Sequence, residues 1–117
     1  MKVKNYKDVE LKEERAARGA GIRWLLSERD GMTDMAMRVI EIEPGGQTPQ
    51  HDHPWEHQVF VLKGSGRVVA AGEPTSFGPG AAIFVGPDEQ HTFHNDSDPT
   101  MEFVCMIPVR ATKAYEH

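Results

Sequence analysis

The chain has 117 residues, which is enough for one ordinary domain and excludes a second catalytic or DNA-reading domain. Its 13 Lys and Arg residues against 18 Asp and Glu residues give a net charge of −5, so a basic nucleic-acid-binding surface is not expected. The single cysteine, Cys105, cannot form a disulfide within the chain and favours a reducing compartment, the cytoplasm. Charges interrupt every apolar run near the N-terminus, so we expect neither a signal peptide nor a membrane span.

Residues 1–20 are polar and of mixed charge, and we predict that they form an exposed N-terminal arm with a short helix around residues 12–17. We expect one barrel domain over residues 21–117, because short runs rich in Val, Ile and Phe alternate there with Gly- and Pro-containing turns. The predicted fold class is therefore all-β. The predicted strands span residues 22–26, 35–42, 57–62, 67–71, 82–85, 91–95 and 101–107.

Alternation along two of these strands predicts which side chains point into the barrel. Glu41 and Val39 share the outward face of the strand at 35–42, and Glu102 marks the outward face of the last strand. An inward Arg38 would be a buried charge that needs a carboxylate partner or an anionic ligand. The side chains expected to point inward are Ala36, Arg38, Ile40 and Ile42 in the first of these strands and Met101, Phe103, Cys105 and Ile107 in the second.

Two large apolar side chains, Phe60 and Leu62, are predicted to face away from the barrel interior. They need a cover, because large contiguous apolar patches are uncommon on the surface of monomeric proteins. Either the N-terminal arm or a second subunit can provide it. We expect a homodimer, which is a common assembly for a protein of this kind.

The main functional signal is a histidine cluster. His51, His53 and His57 lie in the window QHDHPWEHQ, and their even separations place all three rings on one face of an unbroken strand, whereas Glu56 projects from the other face. A single strand cannot surround an ion. We therefore expect a fourth ligand from a neighbouring strand, and His91 in PDEQHTFHN is the best-placed candidate.

Several imidazole rings that converge in an apolar barrel would repel one another if they were protonated, so we expect them to be neutral. Neutral imidazole binds Mn, Fe, Ni, Cu or Zn at about 2.0 to 2.2 Å. The competing interpretation is a polar loop whose histidines are close only in sequence, as for a generic His-x-His. The added His57, the punctuating glycines and the later His91 favour the metal site. Manganese or iron is the cofactor we expect.

These residues resemble the motifs of the cupins. The first cupin motif is a glycine, five residues, His-x-His, three residues, a glutamate, six residues and a glycine; the second ends in a histidine and, after three residues, an asparagine. The positions that match are Gly45, His51, His53 and Gly64 in the first motif and Gly80, His91 and Asn95 in the second. His57 replaces the usual glutamate, as in a subgroup of small bacterial cupins with an HPWEH signature and four histidine ligands, while Gly86 and Asp88 replace the proline and glycine of the second motif. The resemblance implies a double-stranded β-helix, or jelly-roll, barrel.

Four neutral ligands would leave about two positions of an octahedral ion open for substrate, water or dioxygen. Arg38 is the candidate for binding a substrate carboxylate, with a structural ion pair or an exposed position as the alternatives. The other candidate substrate-binding residues, for each of which plain core packing is the alternative, are Val59, Phe103, Cys105 and Ile107.

Two function classes follow. The first is a metal-dependent oxidoreductase, similar to a dioxygenase or peroxygenase, that acts on a small aromatic or carboxylate-bearing substrate. The second is a non-catalytic module that binds a small molecule or a metal. A sugar or keto-acid isomerase ranks third, because it needs a positioned acid and base, and Glu56 could serve only if a bulge turned it inward.

Overall fold

The computed structural model describes residues 1–115, with side chains through residue 113. Over this part of the chain the strands are β1 (Lys12–Glu13), β2 (Arg18–Leu26), β3 (Met35–Gln47), β4 (His57–Lys63), β5 (Gly66–Ala70), β6 (Glu73–Phe77), β7 (Ala82–Val85), β8 (His91–Asn95) and β9 (Met101–Pro108). Short 3-10 helices span Tyr6–Asp8, Glu28–Asp30 and Val109–Tyr115.

The strands form one curled antiparallel sheet in the order β6-β5-β8-β3-β9-β4-β7. The long strand β3 also pairs with β2, and β2 pairs with β1, so the N-terminal part of the chain extends the same sheet. This arrangement confirms the predicted all-β class. It also brings β8 beside the end of β3, which places the two histidine-bearing parts of the sequence close together.

All seven predicted strands are present, but the N-terminal arm differs from the prediction. The expected helix at 12–17 is wrong, because residues in this stretch form β1, in which Lys12 pairs with Ile22. Strand β2 begins at Arg18, so its first three residues belong to the arm expected over residues 1–20. The strand β6 was not predicted, since its sequence EPTSF is polar and contains a proline; it lies at the sheet edge, where a proline is tolerated.

The inward faces predicted for β3 and β9 are confirmed. Arg38 is 2 % exposed, and Phe103 and Cys105 are completely buried. Val39 departs from the prediction, because it lies on the outer face and is nevertheless buried. The N-terminal segment is bonded to residues of the strands on this side of the sheet.

Two hydrogen bonds fix this N-terminal cover over β2, β3 and β9. The hydroxyl of Tyr6 donates to the carboxylate of Glu102 at 2.8 Å, and the guanidinium of Arg23 donates to the carbonyl oxygen of Val9. Arg23 and Val104 are the register partners of Val39 on the two sides, so the cover lies directly beside this side chain. The arm is therefore anchored to the barrel.

The N-terminal segment leaves the outer face of β4 and β7 uncovered. Phe60 is 50 % exposed, Leu62 43 % and the neighbouring Phe84 66 %. Among residues 1–113, the N-terminal arm therefore does not cover Phe60 and Leu62. The other expected cover, a second subunit, stays a prediction.

The asparagine of the second motif has a structural role at the end of β8. Asn95 is 1 % exposed, and its side-chain amide donates to the carbonyl oxygens of Ile42 at 2.8 Å and Pro99 at 2.9 Å. Its side-chain oxygen accepts from the backbone N–H of Ser97 at 2.9 Å. These bonds fix the end of β8 against β3, four residues after His91, and thereby help to hold that histidine in register.

Candidate metal centre

The backbone brings His51 and His91 together through a two-residue bridge. The N–H of His51 donates to the carbonyl oxygen of His91 at 3.2 Å, and the N–H of His91 donates to that of His51 at 3.0 Å. The unbroken strand on which the three rings would share a face is not present, because the chain leaves strand geometry at residues 52–56 and resumes it only at His57. Pro54, which has no N–H to give to a strand, lies in the middle of this interruption.

The four predicted ligands nevertheless converge. The ring centroids of His51, His53 and His91 lie 4.9 to 5.1 Å apart, and His57 lies 4.3 Å from His53 and 5.2 Å from His91. One ring nitrogen from each of His51, His53 and His91 lies within 4.8 Å of the others. This spacing is compatible with a single metal ion bound by all three.

Backbone carbonyls determine which nitrogen of two rings faces inward. Nδ1 of His53 lies 3.1 Å from the carbonyl oxygen of Trp55, and Nδ1 of His91 lies 2.7 Å from that of Glu89. A carbonyl oxygen only accepts hydrogen bonds, so each Nδ1 carries the proton and each Nε2 keeps its lone pair. Such partners are the usual outer supports of metal-binding histidines.

The Nε2 atoms of His53, His57 and His91 are buried, and none has a hydrogen-bond partner among the described residues. A buried polar atom without a hydrogen-bond partner lowers the stability of the fold, so three such atoms in one place indicate a common ligand. Because a neutral imidazole nitrogen is a good ligand for a transition metal, a bound ion would satisfy Nε2 of His53 and of His91, and that of His57 after a rotation of its ring. The residues present therefore fit a metal.

Burial also keeps these rings neutral. Desolvation, followed by the nearby His91, His53 and Arg38, lowers the pKa of His51 to about 4. Desolvation and then Arg38 lower the pKa of His57 to about 2. The pKa values of His53 and His91 are lowered as well, again mainly by desolvation. The cluster thus has the protonation state that metal binding requires.

The ring of His57 is parallel to that of His53 and lies at 70° to that of His91. It is stacked on His53 with an interplanar angle of 6°, and Trp55 is stacked on the opposite side of His53 at 4.5 Å. The lone pair of an imidazole nitrogen lies in the plane of its ring, and the two stacked planes do not meet, so His53 and His57 cannot both aim at one point without a rotation. His51, His53 and His91 could hold a metal ion together, and His57 as the fourth ligand stays a prediction.

The turn before His91 is formed despite its departure from the motif. Asp88 adopts a left-handed conformation with φ of 62°, and its N–H donates to the carbonyl oxygen of His53 at 2.6 Å. The side chain of Glu89 accepts from the N–H of Gly86 at 3.2 Å. Asp88 thereby takes a backbone conformation that glycine adopts most easily, and the turn links the two histidine segments directly.

A small cavity of about 30 Å³ opens beside the cluster. The predicted site residues that line it are His51, His57, His91, Arg38 and Phe103. His53 is not among the lining residues. Val59, Cys105 and Ile107 are buried in the core and are not among the lining residues, so their part in substrate binding stays a prediction.

Arg38 lies at the base of this arrangement. Its Nη2 lies 3.5 Å from the sulfur of Cys105, and its guanidinium lies 5.4 Å from the ring centroid of Trp24. Glu56, in contrast, is exposed, so the bulge that would turn it inward is absent.

Sequence reasoning missed one charged residue of the cavity, Glu14 in the N-terminal segment. No pattern in the sequence marks it, because β1 has only two residues and its flanks are polar. Only the pairing of β1 with β2 places Glu14 at the cavity.

The comparisons with known proteins agree with this architecture. The family model described as a cupin domain matches residues 38–107. The polyketide cyclase RemF from Streptomyces resistomycificus is 34 % identical with a TM-score of 0.87, and the match covers 93 % of this chain and 80 % of that one. A cupin-2 domain from Rhodospirillum rubrum is 26 % identical with a TM-score of 0.77, covering 92 % and 74 %.

A predicted oxalate decarboxylase from Thermotoga maritima shares the fold at 20 % identity, with a TM-score of 0.80 and coverage of 92 % and 98 %. No curated protein matches this chain. Among the described residues, no helix has the length and apolar character needed to cross a membrane.

Proposed function

Because this chain belongs to the cupin family, with the jelly-roll barrel of that family, we propose that it is a metal-dependent enzyme acting on a small carbonyl-bearing substrate. The observation that carries the proposal is the group of buried Nε2 atoms of His53, His57 and His91, which have no partner among the described residues. They lie beside a cavity that also contains Arg38, a positive charge suited to an anionic oxygen.

His51, His53 and His91 are the residues that would hold the ion, with His57 as the fourth ligand. When bound, a divalent ion supplies Lewis-acid polarisation of a carbonyl oxygen and, if it is redox-active, electron transfer. Manganese or iron remains the ion we expect; nickel, copper and zinc are the alternatives, because imidazole binds all of these metals.

The side chains of the cavity support carbonyl chemistry. Phe93 and Phe103 present apolar walls that exclude water, so electrostatic interactions inside the cavity are stronger than in solution. Arg38 would orient a carboxylate or an enolate oxygen of the substrate by charge-assisted hydrogen bonds. The similarity to a polyketide cyclase over 93 % of the chain supports a substrate that carries several carbonyl groups.

A second candidate is the oxygen-dependent oxidation of a small aromatic or carboxylate-bearing substrate. The aromatic walls formed by Phe93 and Phe103 favour it, since they would pack against an aromatic ring. Oxygen uptake by the iron- or manganese-loaded protein distinguishes the two candidates. Carbonyl chemistry persists without dioxygen and with zinc, which has no accessible redox step, whereas oxidation does not.

The direct test measures binding of pyruvate, oxalate and salicylate to the metal-loaded protein by calorimetry, with Arg38→Gln as the comparison. We expect at least one carboxylate to bind with an affinity that falls about tenfold or more in the variant, because a charge-assisted hydrogen bond contributes about 1.5 to 3 kcal/mol. Unchanged binding of every carboxylate would remove Arg38 from the site. Binding without turnover of any ligand would favour the non-catalytic module.

Two further properties are part of the proposal. A second copy of the chain would cover Phe60, Leu62 and Phe84, which makes the protein a homodimer. A cytoplasmic location is supported by the single cysteine, which is buried and reduced.

A further inference from the structure

The N-terminal segment contributes a carboxylate to the cavity of the histidine cluster. Glu14 lines this cavity together with Arg38, His51, His57 and His91. It directly follows β1, whose pairing with β2 fixes its place: the N–H of Glu14 donates to the carbonyl oxygen of Ala20 at 2.9 Å.

The turn that follows holds the same residue from its other side. The N–H of Ala17 donates to the backbone carbonyl of Glu14 at 3.1 Å, and the N–H of Ala16 lies 3.4 Å from its carboxylate oxygen. Glu14 is half-buried, whereas its neighbour Glu13, the last residue of β1, is exposed. The backbone thus presents one of two adjacent glutamates to the cavity.

Among the described residues that line the cavity, Glu14 carries the only carboxylate. The histidines there face the proposed metal, and Arg38 carries a permanent positive charge. The hydroxyl of Thr48 already accepts a hydrogen bond from the N–H of Phe93 at 2.9 Å. Glu14 is therefore the residue suited to take up and release a proton within reach of a bound substrate.

We propose that Glu14 is a catalytic residue that transfers a proton at the carbon next to a substrate carbonyl, a proposal that rests on the proposed function. The C–H bond breaks, its proton forms an O–H bond with the Glu14 carboxylate, and the electron pair moves to the carbonyl oxygen as an enolate. Return of a proton from Glu14 to carbon regenerates the carboxylate. No oxidant or reductant is consumed.

The experiment uses zinc-loaded protein and pyruvate in heavy water, with exchange of the methyl protons for deuterium followed by proton NMR. We expect exchange in the wild type and a decrease of about 100-fold or more in Glu14→Gln, since general acid–base catalysis contributes about 10² to 10⁴. Glu13→Gln is the matched control and should exchange at the wild-type rate. Glu14→Ala tests the same position with a second side chain.

A second readout does not depend on turnover. In protein labelled with carbon-13 at the glutamate carboxyls, the Glu14 signal is identified by its absence in Glu14→Gln. Addition of pyruvate should shift this signal and leave that of Glu13 unchanged. Zinc content and the midpoint of thermal unfolding are measured for each variant, so that loss of metal or of the fold is recognised.

The outcomes separate the two proposals. If zinc and pyruvate bind but Glu14→Gln exchanges as fast as the wild type, or the wild type does not exchange at all, the role of Glu14 is overturned and the metal site stands. If the folded wild type binds none of zinc, manganese and iron(II), the proposed function fails, and the proton transfer fails with it.

Discussion

Nδ1 of His57 lies 3.4 Å from the sulfur of Cys105, inside the barrel where both side chains are buried. The same sulfur lies 3.5 Å from Nη2 of Arg38. Cys105 therefore lies between His57, the predicted fourth metal ligand, and the guanidinium of Arg38. It occupies for His57 the place that backbone carbonyls occupy for His53 and His91.

Replacement of Cys105 should loosen His57 and weaken metal binding. We expect Cys105→Ala to lower zinc affinity about 10- to 100-fold, as loss of an outer support of a ligand does, and Cys105→Ser to stay close to the wild type. Zinc titration against a competing chelator measures this. Ile107→Val, on the same buried face, is the control; an equal loss of affinity in that variant would show that core packing alone is responsible.

The pH dependence of the metal-free protein follows from the buried histidines. In the folded state the pKa of His51 is about 4 and that of His57 about 2, whereas both lie near 6.5 in the unfolded chain. Below about pH 6.5 the unfolded state binds more protons than the folded state, so the free energy of unfolding decreases as the pH falls.

The expected decrease is about 1.4 kcal/mol per pH unit for each histidine that takes up a proton only on unfolding. Urea unfolding at about pH 7.5, 6 and 5 measures it, and His57→Gln should reduce the slope. A free energy of unfolding that stays constant over this range would contradict the burial of neutral rings.

His57 should contribute less to metal affinity than His53 or His91. Removal of His53 or His91 should lower zinc affinity more than about 100-fold, which exceeds the usual effect of an outer support. His57→Ala should cost less, because its ring is parallel to that of His53 and lies outside the tight nitrogen group. Equal losses in all three alanine variants would instead make His57 a full ligand.

The approach of β5 to β8 requires a glycine at position 66. A Cβ atom there would overlap the carbonyl oxygen of His94, which is backbone and cannot move aside. We expect Gly66→Ala to destabilise the protein by about 3 kcal/mol, as overpacking against a rigid neighbour does. Gly78→Ala, where a Cβ would meet open space, is the control and should be nearly neutral in a denaturant titration.

The uncovered face of β4 and β7 should determine the oligomeric state. If a second copy covers it, Phe84→Lys should convert a dimer into a monomer, because a buried unpaired charge is unfavourable. Val3→Lys, at an exposed position outside this face, should leave the dimer intact. Sedimentation of the wild type as a monomer at all concentrations would contradict the homodimer.

Side-chain alternation was the most informative sequence signal for which residues point into the barrel. Parity alone predicted the buried Arg38, Phe103 and Cys105, because β3 and β9 pair without interruption over residues 35–42 and 101–108. It failed where regularity ends. The even spacing of His51 and His57 predicted that their rings converge. They do converge, but the chain between them is not a strand, so parity is not the cause.

The contribution of the N-terminal segment could not be predicted, since it depends on contacts distant in sequence. Glu14 reaches the cavity through pairing of β1 with β2, and Tyr6 covers the outer face through Glu102. Neither local propensity nor hydrophobic pattern records such tertiary contacts. The unpredicted edge strand β6 likewise owes its conformation to pairing with β5.

Metal stoichiometry tests the central claim most directly. Native mass spectrometry of the protein, freed of metal and then incubated with zinc, manganese or iron(II), should show one ion per chain, and the variant with both His51 and His91 changed to Ala should show none. A folded wild type that binds none of these ions would contradict the metal centre inferred from the histidine cluster.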